Sequence, residues 1–223
     1  MADPRSQEPD DPAQAREALR AFLEASGSPL DESVQAKIVD LAVLVAQWGA
    51  RMNLSGYRDP ESVMRGLVCD ALSLWFEVRD QVGIDQGAEV VDLGSGAGFP
   101  GLPLAIIDPS LSVTLVESRE RRHHFQRAVR RQLGLGNVYP RLGRIEDLDF
   151  TQSDIVIAQA VAQPSDALDL GLPWARAGGL VLIPANQPDP FGGSNARISE
   201  WGSIRYSTPA KDSDRWIWWG RCA

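Results

Sequence analysis

The spacing of apolar residues changes character about 80 residues into the chain. Before that point the period is helical. Ala13–Ala25 reads as one helix. Leu30-Asp31 opens a longer one, in which Val34, Ile38, Leu41, Val45 and Trp48 share a face. NLSGYRDPES (Asn53–Ser62) is a turn-rich connection, Pro60 stands where a helix can begin, and Glu61–Val78 keeps the helical period. Gly83–Gly87 then breaks the pattern. Beyond it, short β-rich runs alternate with helix-length segments: Glu89–Leu93, Ser112–Glu117, Asn137–Leu142, Asp154–Ala158 and Gly179–Pro184. Alternation of this kind implies a parallel sheet with crossover helices. Ser203–Thr208 and Arg215–Arg221, joined by the turn-like PAKDSD, read as an antiparallel hairpin closing the sheet, with Trp216, Trp218 and Trp219 packing it. The predicted organisation is a disordered tail over 1–12, a helical extension over 13–82 and an α/β domain over 83–223.

Composition narrows the function classes. The chain has no apolar run of the roughly eighteen residues that a membrane helix requires. MADPRSQEPDDPAQ is acidic and polar, without the basic and apolar regions of a secretory signal. Cys69 and Cys222 lie far apart, and His123 and His124 are the two histidines, so neither a disulfide framework nor a metal site is suggested. These features point to a soluble cytoplasmic protein. The formal net charge of −8 argues against a surface that grips nucleic acid all over. Ser118–Gly134 nevertheless carries six arginines against one glutamate. Phe125, Ala128, Val129 and Leu133 fall at helical spacing within it, so the arginines form either a solvated helix face or a phosphate-facing patch.

The candidate chemistry lies in EVVDLGSGAGFPGLPLA, from Glu89 to Ala105. A strand ends on Asp92, and Gly94, Gly96, Gly98 and Gly101 follow. Parallel sheets take ligands at the carboxyl ends of their strands. Glycines there permit positive φ and let backbone approach a ligand closely. Read from Gly96, the loop satisfies G-x-G-x-x-G, but that register begins four residues beyond Asp92, too far for the tight turn of a dinucleotide fold. Read from Asp92, DLGSGAG is D-x-G-x-G-x-G, which resembles motif I of S-adenosylmethionine-dependent methyltransferases. An acid at the strand end favours a sulfonium and an amino group and repels a pyrophosphate. The strand in VTLVES ends on Glu117, nineteen residues after Gly98, where a carboxylate accepts from both ribose hydroxyls. Ser118 follows it. After the third strand, Arg144-Ile145-Glu146-Asp147 supplies an apolar residue and acids, read either as adenine contacts or as acids favoured at a helix start.

The surrounding residues are more particular. NLSGYRDPESVMRGLVCDAL, DLGSGAGFPGLPLAIIDP and LVESRERRHHFQRAV together resemble the bacterial small-subunit ribosomal RNA guanine-N7 methyltransferases, the glucose-inhibited division protein B family. The resemblance runs from about Val34 to Val181. It implies a Rossmann-like methyltransferase fold with a mostly parallel seven-stranded sheet, a C-terminal antiparallel hairpin and an N-terminal helical extension. It implies S-adenosylmethionine as cofactor and 16S ribosomal RNA, or the small subunit, as partner, with a monomer favoured. By position, cofactor contacts fall on Gly94, Phe99, Ile145 and Glu146. The general motif adds Asp92, Ser95, Gly96, Gly98, Glu117 and Ser118.

Three departures accompany the match. The family's R-H-x-x-D-S appears as Arg65-Gly66-Leu67-Val68-Cys69-Asp70-Ala71, its S-R-A as Ala158-Gln159-Ala160, and its L-K-G as Pro184-Ala185-Asn186. Gln159 thus stands where an arginine on the cofactor side is expected. Asn53, Arg58, Arg65 and Asp70 remain as candidate substrate contacts. Three rival readings follow: methylation of another RNA or a small molecule, a non-catalytic module that binds the cofactor or the ribosome, and a nicotinamide-dependent oxidoreductase.

Overall fold

The structure, a computed structural model, describes residues 11–52, 54–159, 163–192, 196–209 and 211–223. Seven strands form one sheet in the order β3-β2-β1-β4-β5-β7-β6. They are β1 (Glu89–Leu93), β2 (Ser112–Glu117), β3 (Val138–Leu142), β4 (Ser153–Ala158), β5 (Ala175–Ala185), β6 (Ile198–Thr208) and β7 (Lys211–Cys222). β1 to β5 are parallel, and β7 joins β5 and β6 antiparallel. Strand order reverses between β1 and β4, so the sequence places Asp92 and the glycine-rich loop at the switch point of the sheet.

The last three strands outrun their sequence signal. β5 begins at Ala175, four residues before the apolar run: Ala175 pairs with Ser153, and the register then shifts so that Leu180 pairs with Ile155, with Arg176–Gly179 spanning the irregularity. In the hairpin, pairing continues to Thr208 and Lys211, so most of the expected PAKDSD turn is strand. Gly202 sits inside β6 because a side chain there would meet the Trp219 ring at 2.9 Å. Trp218 is buried and lies edge-on to Phe191, with centroids 4.6 Å apart. Trp219 packs on the core from its rim.

Among the described residues, seven α-helices accompany the sheet: α1 (Ala13–Ser26), α2 (Glu32–Met52), α3 (Pro60–Val63), α4 (Cys69–Val82), α5 (Gly101–Ile107), α6 (Glu120–Gln132) and α7 (Pro164–Gly171). Asp59 starts α3 by accepting from the Ser62 N–H at 2.8 Å, with Pro60 at the first helical position. A π-helical turn, Met64–Val68, carries α3 directly into α4. The first half of the chain and one sheet face share a single core: Ile38, Leu41, Val45, Leu72 and Trp75 join Val90, Val113, Leu115 and Phe125. Trp48 of α2 meets Phe125 of α6 edge to face, centroids 5.5 Å apart. The opposite face carries a smaller core of Val91, Val116, Val156, Leu168 and Trp174 under α7. Among the described residues, no helix is long and apolar enough to cross a membrane, and both cysteines are free and buried.

Candidate active site

The glycine-rich loop is built by backbone bonds that its sequence makes possible. Gly94, Gly96 and Gly98 have φ of 66°, 59° and 88°, a region that side chains disfavour. The Ser95 N–H donates to the Val116 carbonyl at 2.9 Å, stitching the loop to β2. The Ser95 hydroxyl is buried, donates to the same carbonyl and accepts from Gln126 Nε2 at 2.9 Å. Gln126, fully buried on α6, also donates to the Gly96 carbonyl at 2.9 Å. Gln126 thus braces the loop from α6, a role that the helical spacing of its apolar neighbours did not announce.

Asp92 is fully buried on the α5 side of β1. One carboxylate oxygen, Oδ2, accepts from the Gly101 N–H at 2.9 Å, fixing the start of α5, and the other, Oδ1, has no hydrogen-bond partner. A side chain at residue 101 would meet Leu115 at 2.3 Å and Asp92 Oδ2 at 3.0 Å, which is why glycine stands there. Burial pushes the Asp92 carboxyl up to about 7; the Gly101 N–H opposes the shift and the Glu117 charge adds to it. Glu117 ends the neighbouring strand on the same sheet face. Its Oε1 accepts from the Arg119 N–H at 2.7 Å, and its Oε2 lies 3.7 Å from Arg122 Nη1.

A cleft of about 270 Å³ opens at this end of the sheet. Gly94, Glu117, Ser118, Ile145 and Glu146, all anticipated from sequence, line it together. The cleft adds Val116, Arg119, Arg122, Gly143, Arg144 and Leu170, none of which was named as a cofactor contact from sequence. Gly143 is tied in through its N–H to the Glu117 carbonyl at 3.1 Å. The donors suit an adenosyl group: a fixed carboxylate for ribose hydroxyls, an apolar Ile145 for a ring, and a main chain free of side chains at Gly94. Ser95, Gly98 and the half-buried Phe99, also anticipated, are not among the residues that line the cleft. Gly96 is half-buried beside Arg122, whose Nη1 would lie 3.8 Å from an added Cβ.

The other candidates separate. Gln159, at the end of β4, lines a second cleft of about 490 Å³ with Gln163, Ala185, Asn186, Gln187 and Arg215. Its Nε2 reaches Asp70 Oδ2 on α4 at 3.5 Å. Asp70 Oδ1 accepts from Tyr206 Oη at 3.2 Å and pairs with Arg215 Nε at the same distance, while Arg215 Nε also donates to Tyr206 Oη at 2.9 Å. Burial would lower the Arg215 pKa, but the Asp70 carboxylate, with Tyr206 and Tyr57, raises it above the usual value. The Tyr206 pKa is raised as well, through burial and the Asp70 charge, with Arg215 opposing.

Arg65 instead pairs with Glu61 at 2.8 Å and faces a groove between α1, α4 and β6. Arg58 donates through Nη1 to the Gly49 carbonyl at the end of α2. Asn53 and Ala160 lie outside the described residues. Gly66 has a definite reason to lack a side chain: a Cβ would stand 2.2 Å from Tyr57 Cζ and 2.4 Å from Tyr57 Oη. Tyr57 therefore occupies the space next to the position where histidine was expected.

The sheet, its switch-point loop and the carboxylate-walled cleft define an S-adenosylmethionine-dependent methyltransferase. Comparison with solved structures agrees at the level of fold: TrmN from Thermus thermophilus superimposes with a TM-score of 0.56 at 16% identity, over 69% of this chain and 49% of that one. An S-adenosylmethionine-dependent methyltransferase from Aquifex aeolicus gives 0.52 at 15% identity, over 73% and 93%. The family model described as rRNA small subunit methyltransferase G, GidB, matches residues 34–187. Relatives carrying the name ribosomal RNA small subunit methyltransferase G include one from Sorangium cellulosum, 38% identical over 77% of this chain and 72% of its own. Another, from Burkholderia thailandensis, is 31% identical over 92% of both chains. The chain belongs to the GidB family.

Proposed function

We propose that the protein methylates N7 of a guanine in 16S ribosomal RNA, as a monomer acting in the cytoplasm. The observation that carries this reading is the family match across residues 34–187 combined with the convergence of Gly94, Glu117, Ser118, Ile145 and Glu146 on one cleft. Glu117 and the Gly94 main chain would hold the adenosyl ribose, with Ile145 and Glu146 at the base. Bound there, S-adenosylmethionine supplies an electrophilic methyl group on its sulfonium. Guanine N7 has an exposed lone pair and needs no deprotonation before attack. The protein's contribution is therefore orientation and exclusion of water, a proximity effect worth several kcal/mol or more (about 7–11 at the ideal limit). The reading accommodates Gly66, since no general base is required of that position.

The second cleft supports the assignment of an acceptor. It opens at the carboxyl ends of β4 and β5, on the same edge of the sheet as the cofactor cleft, and Gln159, Gln163, Asn186 and Gln187 bring amide side chains to its wall. Amides donate and accept, which suits the edge of a base. The deciding experiment is mass spectrometry of 16S ribosomal RNA from cells with and without the gene, paired with labelling of purified small subunits. A methylguanosine that disappears with the gene is expected. An unchanged modification profile together with unlabelled subunits would remove the proposal.

A further inference from the structure

One charged side chain, Arg215, lines the second cleft among the described residues; its neighbours there are amides, prolines and small or apolar groups. It arrives from β7, close to the end of the chain and 145 positions beyond Asp70, its partner in the ion pair. The carboxylate and the Tyr206 hydroxyl both engage its Nε edge. The terminal nitrogens, Nη1 and Nη2, donate no hydrogen bond to any described residue. The side chain keeps only 15% of its exposure, so the guanidinium is held rigidly and not left to wave in solvent. An arginine serving structure alone spends its fork on protein acceptors. Here the fork is anchored at its Nε edge, its guanidinium carbon stands 5.7 Å from the Tyr206 ring centroid, and the residue lines a cleft of about 490 Å³.

We infer that Arg215 is a substrate-binding residue: its free guanidinium edge takes a phosphate of the RNA strand that carries the acceptor base, in the two-pronged manner of arginine with oxyanions. Asp70 and Tyr206 are positioning residues for it, and Gln159 completes the setting from the other oxygen of Asp70. The inference rests on the proposed RNA substrate and adds to it a specific contact. It also explains how a chain with a formal net charge of −8 secures RNA at this edge: through a cation fixed locally and not through a basic surface.

The test is a salt series of small-subunit binding by wild type, Arg215→Ala, Arg215→Lys and the double variant Asp70→Asn with Arg215→Gln. S-adenosylhomocysteine affinity is measured alongside. The inference predicts that Arg215→Ala binds subunits about tenfold to a hundredfold more weakly. Its plot of log affinity against log salt should be shallower by about one. Arg215→Lys should regain the slope but not the full affinity, because an ammonium lacks the planar fork. The double variant leaves no buried carboxylate unpaired, so it keeps the readout if the alanine variant fails to fold. It should show the same loss of slope, with cofactor affinity within about twofold of wild type in each case. A wild-type slope in the folded variants overturns the inference and leaves the methyltransferase reading intact. Wild-type protein that labels no subunit RNA overturns that reading and this contact with it.

Discussion

The two clefts sit on one edge of one sheet, yet they are assembled differently. The cofactor cleft is made from stretches that follow strand ends in order: the loop after β1, Glu117 and Ser118 after β2, Ile145 and Glu146 after β3. The loop after β1 is folded by main-chain hydrogen bonds and positive-φ glycines, so its sequence signature is glycine. The second cleft takes Gln159 from just after β4 and Arg215 from β7, and these are held by Asp70 of α4 and Tyr206 of β6, residues that no window along the chain brings together. A site built from backbone constrains the sequence at every position, whereas a site built from side chains lets a charge move from one element to another. Two of the departures from the family pattern, Gln159 and Ala185, line that second cleft, whereas Gly66 lies against Tyr57 outside both.

The largest expected effect tests the backbone half of this contrast. Gly98 has φ of 88°, and a Cβ would stand 2.3 Å from Leu102 Cδ1 within the buried start of α5. Gly98→Ala combines left-handed backbone strain with overpacking and should cost about 2–5 kcal/mol of stability. Affinity for S-adenosylhomocysteine should fall by at least tenfold, because the loop that walls the cleft moves. Thermal unfolding and calorimetry read both quantities. A variant that melts and binds like wild type would mean that the loop tolerates side chains and that its glycines are incidental.

A smaller effect tests the side-chain half. Gly66→His restores the family residue but drives its Cβ to within 2.2 Å of the Tyr57 ring. The single substitution should cost about 1–3 kcal/mol. Combining it with Tyr57→Ala should recover most of that, giving a coupling of about 0.5–3 kcal/mol in a double-mutant cycle. Strict additivity would show that Tyr57 does not fill the space next to residue 66, and the idea of exchange between elements would lose its clearest instance.

The same contrast sets how much was legible in advance. β1 and β2 match their predicted bounds, because buried strands of a parallel sheet are uninterrupted apolar runs. β5, β6 and β7 were read short, since Gly178-Gly179, Gly202 and the polar Lys211–Asp214 look like turn chemistry until their partners are known. Within the cofactor cleft the motif residues were found and the arginines Arg119, Arg122 and Arg144 were not, because in sequence they belong to an amphipathic helix and a turn. Arg215 had no local signal at all. Asp70 was anticipated as a candidate, but its partners were invisible before β6 and β7 were placed.

The smallest effect separates the two functions that a strand-end acid serves. Asp92 holds α5 through Gly101 and also sits one strand away from Glu117 at the cofactor cleft. Its folded pKa of about 7 lies above the ordinary carboxyl value near 4, so the folded state binds its proton more tightly than the unfolded chain does. The stability that this proton contributes is complete below about pH 4 and is lost as pH rises through about 7. Asp92→Asn keeps an acceptor for the Gly101 N–H and carries no charge. It should match wild type near pH 5 and melt higher at pH 8 in the absence of cofactor. S-adenosylmethionine differs from S-adenosylhomocysteine by one positive charge, so the ratio of their affinities should rise severalfold between pH 5 and pH 8 in wild type and stay flat in the variant. A ratio independent of pH in both, with the melting difference intact, would assign Asp92 to the architecture of the loop alone. The cofactor's charge would then be met by Glu117.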